Sequence, residues 1–379
     1  MIRIPMVDLK GQYQNIKSEI DLTMAEVLST SQFINGPVVA NFEQALATYL
    51  DSVHVVSCAN GTDALQIALM SLKLEPEDEI IVPSFTYIAT AEVIALLGYT
   101  TVMIDVDPIS FNISAAQIEA AITDRTRAII PVHLFGQSCD MDSIMNIADQ
   151  YGLFVIEDNA QAIGATYIST DQTSAMTGTI GHIGCTSFFP TKNLGAYGDG
   201  GAICTNDKSL AEKMRMIANH GQREKYHHEV IGCNSRLDAL QAAVLSVKLK
   251  YLDQYSKSRQ MAAAYYHQHL NDIEWLDLPV ESQYSNHVYH QYTIRVKLGW
   301  RDKLQQHLKK LGIASMIYYP IPLYRQPAFQ ADDTHAEGLQ HTELLCDTVL
   351  SLPMHTELTP AIQDEVIEAI SSFEMAQAV

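Results

Sequence analysis

Lys192 stands in the run Thr186-Ser-Phe-Phe-Pro-Thr-Lys-Asn-Leu-Gly195, just ahead of Gly198-Asp-Gly-Gly201. A lysine after a β-like apolar stretch, beside a hydroxyl residue, can occupy a partly dry seat. Such a seat lowers the amine's pKa and lets it attack a carbonyl carbon. The same residues also fit a solvated lysine before a turn, as most lysines are. Asp158 lies 34 positions earlier and ends the apolar run Val155-Ile156-Glu157-Asp158. An acid pair closing an apolar strand is costly unless it is used, paired or exposed.

Two further segments offer chemistry in the same order along the chain. In Asn60-Gly61-Thr62-Asp63, Gly61 lets backbone approach an anion, and the amides opening the next helix suit a phosphate. The plainer reading is a helix capped by Asn60 or Thr62. Ser84-Phe-Thr-Tyr87 offers an aromatic face to a planar ring, or simply core. Ser187 offers a hydroxyl to phosphate. Taken together, phosphate loop, aromatic, acid and lysine fit a Schiff-base lysine for pyridoxal 5'-phosphate. Asp158 would hold the protonated pyridine nitrogen, which makes the ring an electron sink. Gln161, three positions on, would contact the phenolic oxygen.

These residues need strand ends to hold them. The first two-thirds of the chain alternate apolar runs and helical stretches. Strands are predicted at Val53–Ser57, Glu79–Pro83, Thr101–Asp105, Ala128–Val132 and Leu153–Glu157. Helices are predicted at Asp63–Leu72, Ala89–Leu97 and Met141–Tyr151. That alternation implies an α/β fold with a mainly parallel sheet, which binds ligands at the carboxyl ends of its strands. Ser235–Leu270 reads as one long helix without Pro or Gly. Beyond it come a strand at Val288–Val296 and helices at Asp302–Leu311 and Pro360–Phe373. The expected domains are a large α/β unit over 1–250 and a smaller α+β unit over 251–379. Thr166–Gly178 reads as a polar surface excursion.

The chain has 379 residues and a formal charge of −20. Such a surface repels nucleic acid and anionic membrane, and no DNA-binding motif is present. Lys, Arg and His nonetheless concentrate between His220 and Arg236. No apolar run approaches the ~20 residues that span a bilayer, and the N-terminus lacks a signal-peptide core. Six scattered cysteines without a Cys-x-x-Cys pair point to free thiols in the cytoplasm, and away from zinc.

At these motifs the chain resembles the DegT/DnrJ sugar aminotransferases, a family of fold-type I pyridoxal-phosphate enzymes like aspartate aminotransferase. The resemblance runs through Met6–Lys10, Ile34–Pro37, Cys58–Leu65, Pro83–Thr90, Glu157–Gly164, the lysine segment and Gly232–Asp238. It implies that Lys192 is the Schiff-base lysine and proton shuttle. It implies that Asp158 pairs with the ring nitrogen, Gln161 lies on the O3' side and Tyr87 stacks on the ring. Gly61, Thr62 and Ser187 would hold the phosphate. Asn234 would reach it from a second subunit, making a homodimer the functional unit. Lysine rather than histidine at position 192 favours transamination over dehydration.

Further motifs are similar to one subgroup: His220-Gly-Gln222, Tyr226-His-His228, Tyr319-Pro-Ile-Pro-Leu323, Gln326-Pro327 and Ser351–His355. That subgroup aminates C3 of UDP-2-acetamido-2-deoxy-3-oxo-D-glucuronate on the way to diacetamido uronic acids of O-antigens. L-glutamate would be the amino donor, leaving 2-oxoglutarate. Arg236, Tyr319 and His228 are the candidates for the anionic groups of the sugar nucleotide. The chain departs from the subgroup at Tyr318, where histidine is expected, and at Asn193, where proline is expected. The competing readings are the same chemistry on a 4-keto-6-deoxy sugar nucleotide, a lysine Schiff-base lyase without pyridoxal phosphate, and a non-enzymatic regulator.

Overall fold

The computed structural model describes residues 2–329 and 338–377, with side chains through Phe373. One sheet takes seven strands in the order His54–Cys58, Gly201–Thr205, Ile183–Ser187, Phe154–Asp158, Thr126–Ile129, Glu79–Pro83 and Thr100–Ile104. Gly201–Thr205 runs against both its neighbours. The remaining pairs are parallel, as the alternating pattern predicts. Glu79-Ile-Ile-Val-Pro83 is buried along its whole length, because a parallel sheet is covered on both faces.

Side-chain alternation divides the strand residues between two apolar layers. Ile80, Val82 and Ile156 pack on one face with Ala64, Leu65 and Ile67 of the helix Gly61–Ser71. Ile81, Val102, Ile129 and Val155 pack on the other with Met141 and Ile144 of the helix Met141–Tyr151. That helix starts at Asp140, whose side chain accepts from the Ser143 amide at 3.3 Å. It stops at Gly152, where φ is +67° and glycine carries no Cβ penalty.

Two expectations need correction. The stretch Ser235–Leu270 is two helices, Ala239–Leu249 and Leu252–Leu270. At the break Lys250 and Tyr251 make tight turns back to Val247 and Lys248. Long-range contacts bend the chain there. The Lys248 amine is drawn inward to the Gly195 carbonyl at 2.7 Å, and the Tyr251 hydroxyl is bound by Glu19. Periodicity within the stretch carries no trace of either contact. The second expectation, a strand over Val288–Val296, shortens to Tyr292–Val296. The Val288 amide leaves the ladder to bond the Gly136 carbonyl at 2.9 Å.

A second, antiparallel sheet pairs Leu276–Asp277, Tyr292–Val296 and Val349–Leu352. Tyr266, Tyr292, Leu304, Leu308, Val366 and Ile370 share its core. Ile4 joins that core through a parallel bridge to Ile313. The helix Leu9–Thr30, by contrast, packs Ile16 and Ile20 against Val244 and Val247 of the helix Ala239–Leu249. The polar stretch around 166–178 folds as a hairpin of Thr166–Ile168 and Ser174–Met176, extended by Ser285–Asn286. Among the described residues no helix is long and apolar enough to cross a membrane.

Candidate active site

The helix Gly61–Ser71 begins where the strand His54–Cys58 ends. Asn60 caps it, its side chain accepting from the Asp63 amide at 2.8 Å. Among the described residues the Gly61 and Thr62 amides have no protein acceptor. Capping and anion binding are therefore compatible here, since an N-terminus leaves several donors over. A Cβ on Gly61 would lie 2.6 Å from the Ser187 Cβ. Only glycine lets the helix start come this close to the serine.

The acid pair divides its labour. Glu157 is fully buried and accepts from the Gly178, Ile180 and Gly181 amides at 2.7, 2.7 and 2.6 Å. His133 Nε2 lies 2.8 Å from Oε2, the oxygen that also accepts from Gly178. Asp158, on the opposite face of the strand, is 5 % exposed and lines a cavity of about 840 Å³. Thr90 Oγ1 donates to Asp158 Oδ2 at 2.7 Å, and the Ala160 amide donates to Oδ1 at 3.1 Å. Each oxygen keeps a second lone pair for a ligand.

Lys192 lines the same cavity. By surface area the residue is half-buried, yet protein surrounds its amine. Desolvation lowers that amine to about 8, against the opposing pull of the Asp158 charge. Gln161 is held at both ends: Oε1 accepts from the Phe135 amide at 2.8 Å, and Nε2 donates to the Tyr319 hydroxyl at 3.1 Å. Burial pushes that hydroxyl's pKa up. Tyr87, half exposed at the mouth, has its ring 6.2 Å from that of Tyr319.

The cavity thus gathers Gly61, Thr62, Tyr87, Asp158, Gln161, Ser187, Lys192 and Tyr319. It does not gather Asn234, Arg236 or His228. Asn234 forms a backbone bridge with Asn219. Arg236 lines a separate groove with Asn35 and Arg215. His228 sits on an exposed hairpin, its Nδ1 2.7 Å from the His220 carbonyl oxygen. Sequence reasoning missed His290 and Thr86, which also line the cavity. His290 comes from the segment read as a strand, almost a hundred positions beyond the lysine, and nothing local marks it.

A cofactor fits these residues. The free helix amides and Ser187 can form an anion cradle. Asp158 can hold a ring proton, and Lys192 can take an aldehyde. Among the described residues the buried Thr86 hydroxyl has no partner, as a site built for a polar ligand leaves its groups. A desolvated amine facing a hydrogen-bonded carboxylate, at the carboxyl end of a parallel sheet, defines an α/β enzyme of the pyridoxal-phosphate class.

The chain belongs to the DegT/DnrJ/EryC1/StrS aminotransferase family, whose profile matches residues 14–371. It is 47% identical over 374 residues to the pleiotropic regulatory protein of Geobacillus stearothermophilus, covering 98% of this chain and 99% of that one. It is 46% identical over 358 residues to UDP-2-acetamido-2-deoxy-3-oxo-D-glucuronate aminotransferase of Pseudomonas aeruginosa, covering 94% and 97%. The crystal structure of S. venezuelae DesV in complex with a ketimine intermediate matches with a TM-score of 0.94 at 39% identity. That match covers 98% of this chain and 99% of DesV.

Proposed function

We propose that this chain is a pyridoxal-phosphate-dependent transaminase that aminates C3 of UDP-2-acetamido-2-deoxy-3-oxo-D-glucuronate. L-glutamate is the donor in this reading. It is oxidised to 2-oxoglutarate while the ketone of the sugar is reduced to an amine, so electrons balance between the two substrates. The place of the reaction is the cytoplasmic supply of diacetamido uronic acids for O-antigen. The observation that carries the reading is the cavity itself, with Lys192 and Asp158 facing it and the anion cradle beside them.

Bound pyridoxal phosphate supplies an aldehyde carbon and a ring that accepts electron density from a breaking Cα–H bond. The Gly61 and Thr62 amides and Ser187 bind its phosphate. Asp158, ordered by Thr90 and the Ala160 amide, keeps a proton on the ring nitrogen. Lys192 Nζ would take the proton from the donor's Cα as base and would return one, as acid, to the carbon that the cofactor's aldehyde supplies. A pKa of about 8 suits both roles near neutral pH. Gln161 and Tyr319 would orient the phenolic side, and Tyr87 would cover the ring against water.

The functional unit in this reading is a homodimer. Asn234 of a second copy reaches the phosphate, and His228 and Arg236 serve the sugar nucleotide's anionic groups. Among the described residues of one chain the cavity's full charges are Lys192 against Asp63, Asp158 and Asp199. Cations for a diphosphate and a carboxylate therefore have to come from elsewhere. The lobe boundary falls near residue 250, with Ile4 joining the smaller lobe.

The test is an absorbance spectrum, repeated after adding L-glutamate and then a keto sugar nucleotide. The expected result is a visible band that glutamate bleaches and the 3-keto uronate restores. Restoration by 4-keto nucleotide sugars alone would overturn the substrate. Absence of any visible band after incubation with pyridoxal phosphate would overturn the class.

A further inference from the structure

The lysine loop is tied to the smaller lobe through a histidine in the cavity wall. Asn193, next to Lys192, is 4 % exposed. Its Nδ2 donates to the Val288 carbonyl at 3.1 Å. A carbonyl only accepts, so the carboxamide has one orientation, nitrogen toward Val288 and oxygen away. That oxygen lies 3.4 Å from His290 Nδ1. The contact is long, but only one sense is open to it: the oxygen accepts and Nδ1 carries the hydrogen.

His290 is 6 % exposed and lines the cavity with Lys192. Burial, together with the charges of Lys192 and Arg259, holds its imidazole well below the usual range, so the ring is neutral. A neutral imidazole has one N–H. With the hydrogen on Nδ1, Nε2 is an acceptor. Gln291 Nε2, a donor, sits 3.5 Å from it in the matching sense.

The backbone around the histidine is gripped from the other side. Arg259 Nη1 donates to the carbonyls of Tyr289, His290 and Met354 at 3.1, 3.3 and 3.1 Å. The ring is therefore oriented by its side-chain contact and does not escape it by a shift of the chain.

We infer that Asn193 is a positioning residue, which locks His290 as the Nδ1–H tautomer so that the cavity wall shared with Lys192 presents no imidazole N–H donor. This rests on the transaminase reading and deepens it. A ring with no N–H toward the cavity leaves the lone pair of the free lysine amine available for proton transfer. The other tautomer would aim a donor into the cavity, where it competes for that lone pair.

The experiment uses cofactor-free protein labelled with 15N-histidine, with His290→Gln identifying the signal by difference. The expected spectrum shows a neutral Nδ1–H ring at position 290 from pH 6 to 9. In Asn193→Leu the preference is lost and Nε2–H signal appears. In the holoenzyme the same variant lowers kcat for the glutamate half-reaction by about ten-fold, with KM unchanged. An Nε2–H ring in the parent protein, titration near the ordinary 6.5, or an unchanged tautomer in Asn193→Leu overturns the proposal. If Asn193→Leu fails to fold, the parent spectrum still decides. The visible cofactor band reports separately on the transaminase reading, because the tautomer is measured without cofactor.

Discussion

Glu157 and Asp158 are neighbours in sequence, and the strand turns them to opposite faces of the sheet. Glu157 is enclosed by three backbone amides and His133. Asp158 faces the cavity. Glu157→Gln places an amide group among donors and removes the charge that satisfies them. It is expected to destabilise the fold by about 3 kcal/mol, read by urea unfolding. Asp158→Asn is expected to unfold within about 1 kcal/mol of the parent while turnover falls on the order of a hundred-fold or more. Equal stability losses in both variants would contradict this division.

Gly61 cannot gain a side chain without displacing Ser187, because the new Cβ would lie 2.6 Å from the serine Cβ. Gly61→Ala is expected to weaken pyridoxal-phosphate binding at least ten-fold and to cost about 1–3 kcal/mol from overpacking. Fluorescence titration of the apo-protein measures the first, and denaturant unfolding the second.

Lys192→Ala is expected to abolish turnover while the protein still folds, checked by steady-state assay and circular dichroism. In the cofactor-free parent the amine should titrate near pH 8, seen in the pH dependence of its reaction with an aldehyde. The Asp158 charge raises that pKa, so Asp158→Asn should move the midpoint lower. A midpoint near 10.5 would contradict the desolvated seat.

Lys248 is 1 % exposed and lies 4.4 Å from the Tyr197 ring centre, bonded to the Gly195 carbonyl. Burial lowers its amine from 10.5 to about 8. Between those values the unfolded chain binds the extra proton, so this group makes stability rise with pH above 8. The rise is about 2 kcal/mol by pH 9.5. Lys248→Met should flatten the difference between unfolding free energies at pH 7.5 and 9.5. An equally steep profile in the variant would show that another group is responsible.

A shared site predicts complementation. Lys192→Ala and Asn234→Ala chains should each be inactive alone. Randomly mixed, they should recover roughly a quarter of parent activity, because half the dimers then carry one intact site of two. No recovery in confirmed mixed dimers would place Asn234 outside the partner's site.

The strands bearing Asp158 and the Gly61 helix were legible because burial on both sheet faces writes itself as short apolar runs closed by polar residues. Lys192 and Ser187 were legible for the same reason, as residues that follow such a run. Glu157 was visible as part of an unusual acid pair, but its work was not. Its amide donors lie in the loop 178–181, and no local pattern announces who will accept from them.

The sequence by itself determined the order of elements, the residues at the strand ends and the chemistry those residue types allow. All of that depends on interactions spanning a few positions. The tertiary structure decided which acid faces the cavity and where the long helix breaks. It also decided that His290 lines the same cavity as Lys192. Those outcomes depend on pairs such as Lys248 with Gly195 and Asn193 with Val288, far apart in the chain. Contacts of that range exist only after distant segments of the chain have packed together, so no periodicity records them.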